Sequence, residues 1–120
     1  MMGVVPINRI SQEKSYIRKA LTQRKSVPII GMPALVNMLN SIDCIHKHAP
    51  QFAYPFMMMQ GSLDTVVSNN GALSWYSRTS TAPKKEKHMF EGFVHELHKE
   101  PGKHQVFKRV LLYMSAQLSG

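Results

Sequence analysis

Cysteine is nearly absent. The one thiol among 120 residues, Cys44, cannot close an intrachain disulfide, so the chain needs no oxidising compartment. Acidic residues are also scarce: seven Asp and Glu stand against fifteen Lys and Arg, a formal charge of +8. Such an excess can attract nucleic acid or an anionic membrane surface. The basic residues are scattered, however, with one short knot at Lys84, Lys85 and Lys87, and they lack the aromatic interleaving that stacks single-stranded bases. Nucleic acid is therefore not expected as a partner. No apolar run approaches the roughly 20 residues of a membrane span. Residues 1–10 lack the charged-then-apolar layout of a signal peptide. A cytoplasmic location is expected, with peripheral membrane contact as the open alternative.

Hydrophobic residues make up 43% and charged residues 18%, an ordinary globular composition that argues against disorder. At this length the chain holds one small domain or part of one. No internal repeat or low-complexity tract is evident.

Ser11 reads as the N-cap of a helix from Gln12 to about Gln23, whose apolar Tyr16, Ile17, Ala20 and Leu21 oppose a basic face of Lys14, Arg18 and Lys19. A loop with Pro28, Gly31 and Pro33 precedes a second helix, Ala34 to Lys47. There Leu35, Met38, Leu39, Ile42 and Ile45 recur near every 3.6 residues, and Cys44 reads as a small helix hydrophobe. Pro50 ends it. Phe52 to Met59 is continuously apolar and stops at Gln60-Gly61, which predicts a strand buried on both faces, as in a parallel sheet. Met57, Met58 and Met59 are then core residues. Ser68 or Asn69 caps a helix to about Arg78, and Lys87 to Glu91 forms a second strand. Strand, helix, strand is a βαβ unit with parallel neighbours. A last helix, about Lys103 to Leu118, lines Val106, Val110, Met114 and Leu118 along one side, with Phe107 and Leu111 beside them.

Functional residues of parallel sheets collect in the loops after the strands. Gly61-Ser62-Leu63-Asp64 follows the first strand and Gly92-Phe93-Val94-His95 the second. Each places an ionisable residue three positions after a glycine, and parallel neighbours bring the two loops side by side.

The stretch from Pro55 through Met57-Met58-Met59-Gln60-Gly61-Ser62-Leu63-Asp64 to Val67 resembles the proline-led strand, glycine and acid of the monoacylglycerol lipase and S33 serine aminopeptidase group of α/β-hydrolases. Phe90-Glu91-Gly92-Phe93-Val94-His95-Glu96-Leu97-His98-Lys99-Glu100-Pro101 is similar to that group's glycine, catalytic histidine and downstream leucine and glutamate. Both segments occur in the right order and spacing. The resemblance implies an α/β class and a partial α/β-hydrolase fold. In it, residues 1–49 would form a lid-like helical segment and connecting helix, and residues 50–120 a C-terminal βαβα part of the core. It makes Asp64 and His95 the catalytic acid and base. His95 would take the proton of a serine hydroxyl and pass it to the leaving alcohol, while Asp64 fixes the imidazole tautomer. The implied substrate is a carboxylic ester with an apolar acyl chain, monoacylglycerol-like, in the complete enzyme.

One departure is severe. None of the eleven serines lies in Gly-x-Ser-x-Gly, the elbow that presents the nucleophile, and no His-Gly segment is present to build an oxyanion hole. The expectation is a C-terminal fragment whose missing half precedes Met1, inactive by itself. The alternative is a non-catalytic basic module on a hydrolase-derived scaffold that binds an anionic partner. No cofactor is expected, and no metal: His95-Glu96-Leu97-His98 falls one residue short of His-Glu-x-x-His, with lysine at position 99. His46 and His48, two apart on a helix, do not share a face. His98 reads as a surface residue.

Overall fold

The computed structural model describes residues 5–23 and 31–120. Part of the expected proline-containing loop, including Pro28, lies outside the described residues. Within them run helix α1 (Lys14–Thr22), helix α2 (Met32–His48), strand β1 (Met57–Gly61), helix α3 (Asn69–Arg78), strand β2 (Glu86–Phe90) and helix α4 (Lys103–Leu118), with short 3-10 turns at Ile7–Arg9, Ala49–Gln51 and Leu97–Lys99.

The two strands pair in parallel, Met57 against Glu86 through Gly61 against Phe90, with α3 as the crossover. This is the expected βαβ unit. The long apolar run is not one strand, however. Pro55 supplies no amide donor for a ladder, and β1 begins only at Met57. The residues before it form an aromatic cluster instead: the rings of Phe52 and Phe56 meet Trp75 of α3 edge-on at centroid distances of 5.4 and 5.2 Å. Nor is β1 buried on both faces. Of its five residues only Gly61 is buried, and Met57, Met58 and Met59 are half-covered.

Helix α3 starts where its cap was expected, with Ser68 Oγ accepting the Gly71 amide at 3.1 Å. Its far end is closed by Lys85, whose Nζ donates to the carbonyls of Tyr76 and Thr79 at 2.8 and 3.1 Å. Helix α4 has the expected bounds. The first helix begins later than its sequence suggests: Glu13, not Ser11, is the N-cap and accepts from the Ser15 amide. Ser11 is withdrawn for a tertiary role described below. Helix α2 extends one turn-half earlier than expected, with Pro33 in its first turn where a missing amide costs nothing. Cys44 is not a packed hydrophobe; it is exposed, with Sγ 3.5 Å from His48 Nδ1.

Among the described residues, Ala49, Phe90, Val94 and Val106 are the buried apolar ones, joined by the buried polar residues Ser11, Thr79 and Glu100. Ser11, Val94 and Glu100 meet beneath the loop that follows β2, whereas Thr79 closes the far end of α3, its hydroxyl donating to the Tyr76 carbonyl at 2.6 Å. The apolar stripes read from the sequence of α2 and α4 lie largely in the open: Met38, Leu39, Ile42 and Ile45 on one, Phe107, Leu111 and Met114 on the other.

Candidate active site

The two post-strand loops do come together. The turn after β1 carries Asp64, whose amide donates back to the Gly61 carbonyl at 3.1 Å. The turn after β2 pivots on Gly92, at φ +79°, a left-handed conformation that glycine adopts without steric cost. Three bonds join the turns: the amides of Ser62 and Leu63 donate to the carbonyls of Phe90 and Phe93, each at 2.9 Å, and Ser62 Oγ accepts the Gly92 amide at 2.8 Å. Gly61 lets the backbones approach this closely. A Cβ built there would collide with the carbonyl oxygens of Phe93 and Val94. Gly61→Ala is therefore expected to destabilise the fold by about 1–3 kcal/mol, the usual cost of overpacking. Urea titration against the parent chain measures it, and an unchanged midpoint refutes the close-approach argument.

Across this junction Asp64 Oδ2 lies 3.0 Å from His95 Nδ1. The Asp64 side chain is 5% exposed and that of His95 34%. The carboxylate is held at every side: Oδ1 accepts the amides of Val66 and Val67 at 2.8 and 3.0 Å, and Gln60 Nε2 donates to Oδ2 at 3.2 Å. Backbone donors fix its plane, so the oxygen facing His95 has little freedom. Nδ1 is committed to the carboxylate, while Nε2 makes no hydrogen bond among the described residues. This division of labour suits an imidazole that exchanges a proton through Nε2 and is oriented through Nδ1.

Burial alone would raise the Asp64 pKa. The hydrogen bonds from His95, Val67 and Val66, with the charge of the His95 imidazole, outweigh burial and hold it below its ordinary value of 3.8. A depressed folded value contributes stability that is fully present above the ordinary value and is lost as pH falls through the depressed one. Stability to urea should therefore decline as pH falls below the ordinary value of 3.8, and Asp64→Asn should remove part of that decline. Parallel slopes for parent and variant would count against it.

A cleft of about 590 Å³ opens beside His95, bounded by the apolar Met59, Leu97, Val106, Phe107 and Val110 and by the polar Glu96 and His98. His98 is exposed, as its sequence context suggests. Its neighbour Lys99 pairs with Glu96 at 2.9 Å and lies over the Tyr16 ring at 4.4 Å, tying the loop to α1. The Glu96 hydrogen bond raises the Lys99 pKa.

Sequence reasoning missed the supports of the pair. Gln60 and the Val66 and Val67 amides carry no motif that marks them. Residues 9–12 reach from the other end of the chain to the His95 loop: the Glu96 amide donates to the Ile10 carbonyl at 2.7 Å, and Ser11 Oγ donates to the Lys99 carbonyl at 2.9 Å. A polar Ser-Gln-Glu before a helix reads locally as a cap, and only the long-range partners reveal otherwise.

Comparison with known proteins gives three consistent findings. The profile of the family described as serine aminopeptidase, S33, matches residues 5–102. Monoglyceride lipase of Rattus norvegicus is 33% identical over 67 residues, which is 54% of this chain and 21% of that protein, and the Homo sapiens enzyme is 31% identical over 65. The solved structure of a soluble variant of Saccharomyces cerevisiae monoglyceride lipase, in complex with a substrate analog, superposes with a TM-score of 0.81 at 16% identity, covering 97% of this chain and 43% of its own. The Paleococcus ferrophilus monoacylglycerol lipase structure matches equally, at 0.81 and 15%, covering 92% of this chain and 43% of its own. The described fold is thus part of an α/β-hydrolase, and the chain spans less than half the length of these neighbours.

Proposed function

This chain belongs to the serine aminopeptidase S33 family of α/β-hydrolases, and from that premise we propose that it carries the acid and base, Asp64 and His95, of a serine-hydrolase triad for carboxylic esters with an apolar acyl chain. The observation that carries the reading is the 3.0 Å contact between Asp64 Oδ2 and His95 Nδ1, with Nε2 making no hydrogen bond among the described residues. In the reaction, His95 Nε2 takes the proton of the attacking hydroxyl and returns it to the departing alcohol. Asp64 stabilises the imidazolium between those steps. The apolar side chains of the neighbouring cleft suit an acyl chain of the monoacylglycerol type, the class named for the relatives.

The nucleophile is not supplied by these residues, since no serine lies in Gly-x-Ser-x-Gly. The complementary hydrolase half, with the elbow and oxyanion hole, is the partner this reading requires. In this reading residues 1–49 supply the lid-like helical segment and connecting helix, and residues 50–120 the C-terminal part of the core. Alone, the chain should leave short-chain p-nitrophenyl esters unhydrolysed and should resist labelling by fluorophosphonates. Turnover abolished by His95→Ala would instead mean that a nucleophile lies within these 120 residues.

A further inference from the structure

Glu100 is 1% exposed, yet among the described residues the hydrogen-bond partners of its side chain are all neutral N–H donors. Oε1 accepts the Gln12 amide at 2.6 Å. Oε2 accepts Gln12 Nε2 at 2.9 Å and the Val94 amide at 3.3 Å. Burying a carboxyl is costly unless its lone pairs are satisfied, so a side chain placed this deeply must be held by its donors and in turn hold them. Those donors lie at the two places that define the His95 loop: Val94 is the residue before the histidine, and Gln12 belongs to the segment laid along the loop. The second face of the Gln12 amide completes the arrangement. Its Nε2 also donates to the Gly92 carbonyl at 2.7 Å, so one exposed side chain bridges the start of the loop to the buried carboxyl at its end.

The consequence is geometric. On one side, the turn after β1 fixes Gly92 and Phe93 through Ser62 and Leu63. On the other, Gln12 and Glu100 fix Gly92 and Val94. The His95 backbone is therefore clamped from both flanks one to three residues before the imidazole. The His95 amide itself makes only a long 3.5 Å contact with the Arg9 carbonyl. A displacement of the loop of 1 Å or so is enough to cost a catalytic contact of this kind about 100-fold.

We propose that Gln12 and Glu100 are positioning residues that act through the backbone of residues 92–94 to set His95 against Asp64; this rests on the reading of that pair as base and acid. Neither residue touches the imidazole. Gln12 makes the N-terminal segment part of the site.

The test uses the full chain and diethyl pyrocarbonate, with carbethoxylation of each histidine followed by peptide mass spectrometry near neutral pH. Exposed His98, on the same loop, serves as the internal reference. The Nδ1–H to carboxylate bond makes the free Nε2 more nucleophilic, so Asp64→Asn should slow His95 relative to His98. Gln12→Ala, at an exposed position, and Glu100→Gln, which turns one acceptor oxygen into a donor facing a donor, should each slow His95 by about threefold relative to His98, in keeping with coupling inside one hydrogen-bond network. In the Asp64→Asn background neither should slow it further. Proportionate changes at His95 and His98 would overturn the proposal by showing a general loosening, and so would additive effects in the double variants or an unchanged His95 rate in Gln12→Ala and Glu100→Gln. If Asp64→Asn itself leaves His95 unaffected, the acid–base reading fails, and the positioning proposal with it.

Discussion

Asp64→Asn and His95→Ala should each lower ester hydrolysis by about 10⁴-fold in a hybrid enzyme, because an imidazole held in the wrong tautomer, or removed, cannot relay the proton of the nucleophile. The hybrid would place this chain in the position of the superposable part of the yeast monoglyceride lipase, whose remaining residues would supply the nucleophile half. Initial rates on a monoacylglycerol, compared among hybrids with matching thermal transitions, measure the effect. The size of the expected loss follows from the geometry. Three donors besides His95 already fix the carboxylate, so Asn at position 64 would retain much of the local structure while presenting an amide nitrogen or a neutral oxygen to Nδ1. A folded hybrid whose rate ignores either substitution would remove Asp64 and His95 from the reaction.

The second large effect concerns association. Leu118 is 88% exposed, and Leu39, Ile42 and Ile45 of α2 and Phe107, Leu111 and Met114 of α4 are open to solvent as well. Burying any one such side chain is worth about 1.5–3 kcal/mol, so several on contiguous helix faces outweigh the cost of association. The two-stranded sheet adds open edges, which pair readily with other strands. Purified at micromolar concentration, the chain should sediment well above its 13.6 kDa mass and bind anilinonaphthalene sulfonate strongly. Leu39→Glu with Ile42→Glu should weaken both signals. A compact monomer with one cooperative thermal transition would contradict this expectation. Among the described residues no helix is long and apolar enough to cross a membrane.

The residues most legible in the sequence were those whose structure depends on near neighbours. Ser68 caps α3 through an amide three residues away, and α4 keeps the bounds that its spacing of Val106 and Val110 implied. The parallel pairing followed from strand, helix, strand, and with it the meeting of Asp64 and His95. Errors arose where an apolar residue had more than one place to go. Phe52 and Phe56 found Trp75, whereas the sequence suggested a ladder; the methionines of β1 found half a cover.

By itself, then, the sequence determined the order of the elements and the glycine-led turns, because hydrophobic period, capping chemistry and turn residues act over three or four positions; Asp64 and His95 stood out through the family resemblance of the segments that carry them. Only the tertiary structure decided how that imidazole is held. Ser11 and Gln12 lie more than eighty residues before their partners Lys99 and Glu100, and no local pattern distinguishes a serine that caps a helix from one that closes a long-range hydrogen bond. Burial makes the difference: away from water an unpartnered donor or acceptor costs more than a bond gains, so the partners must be found within the fold.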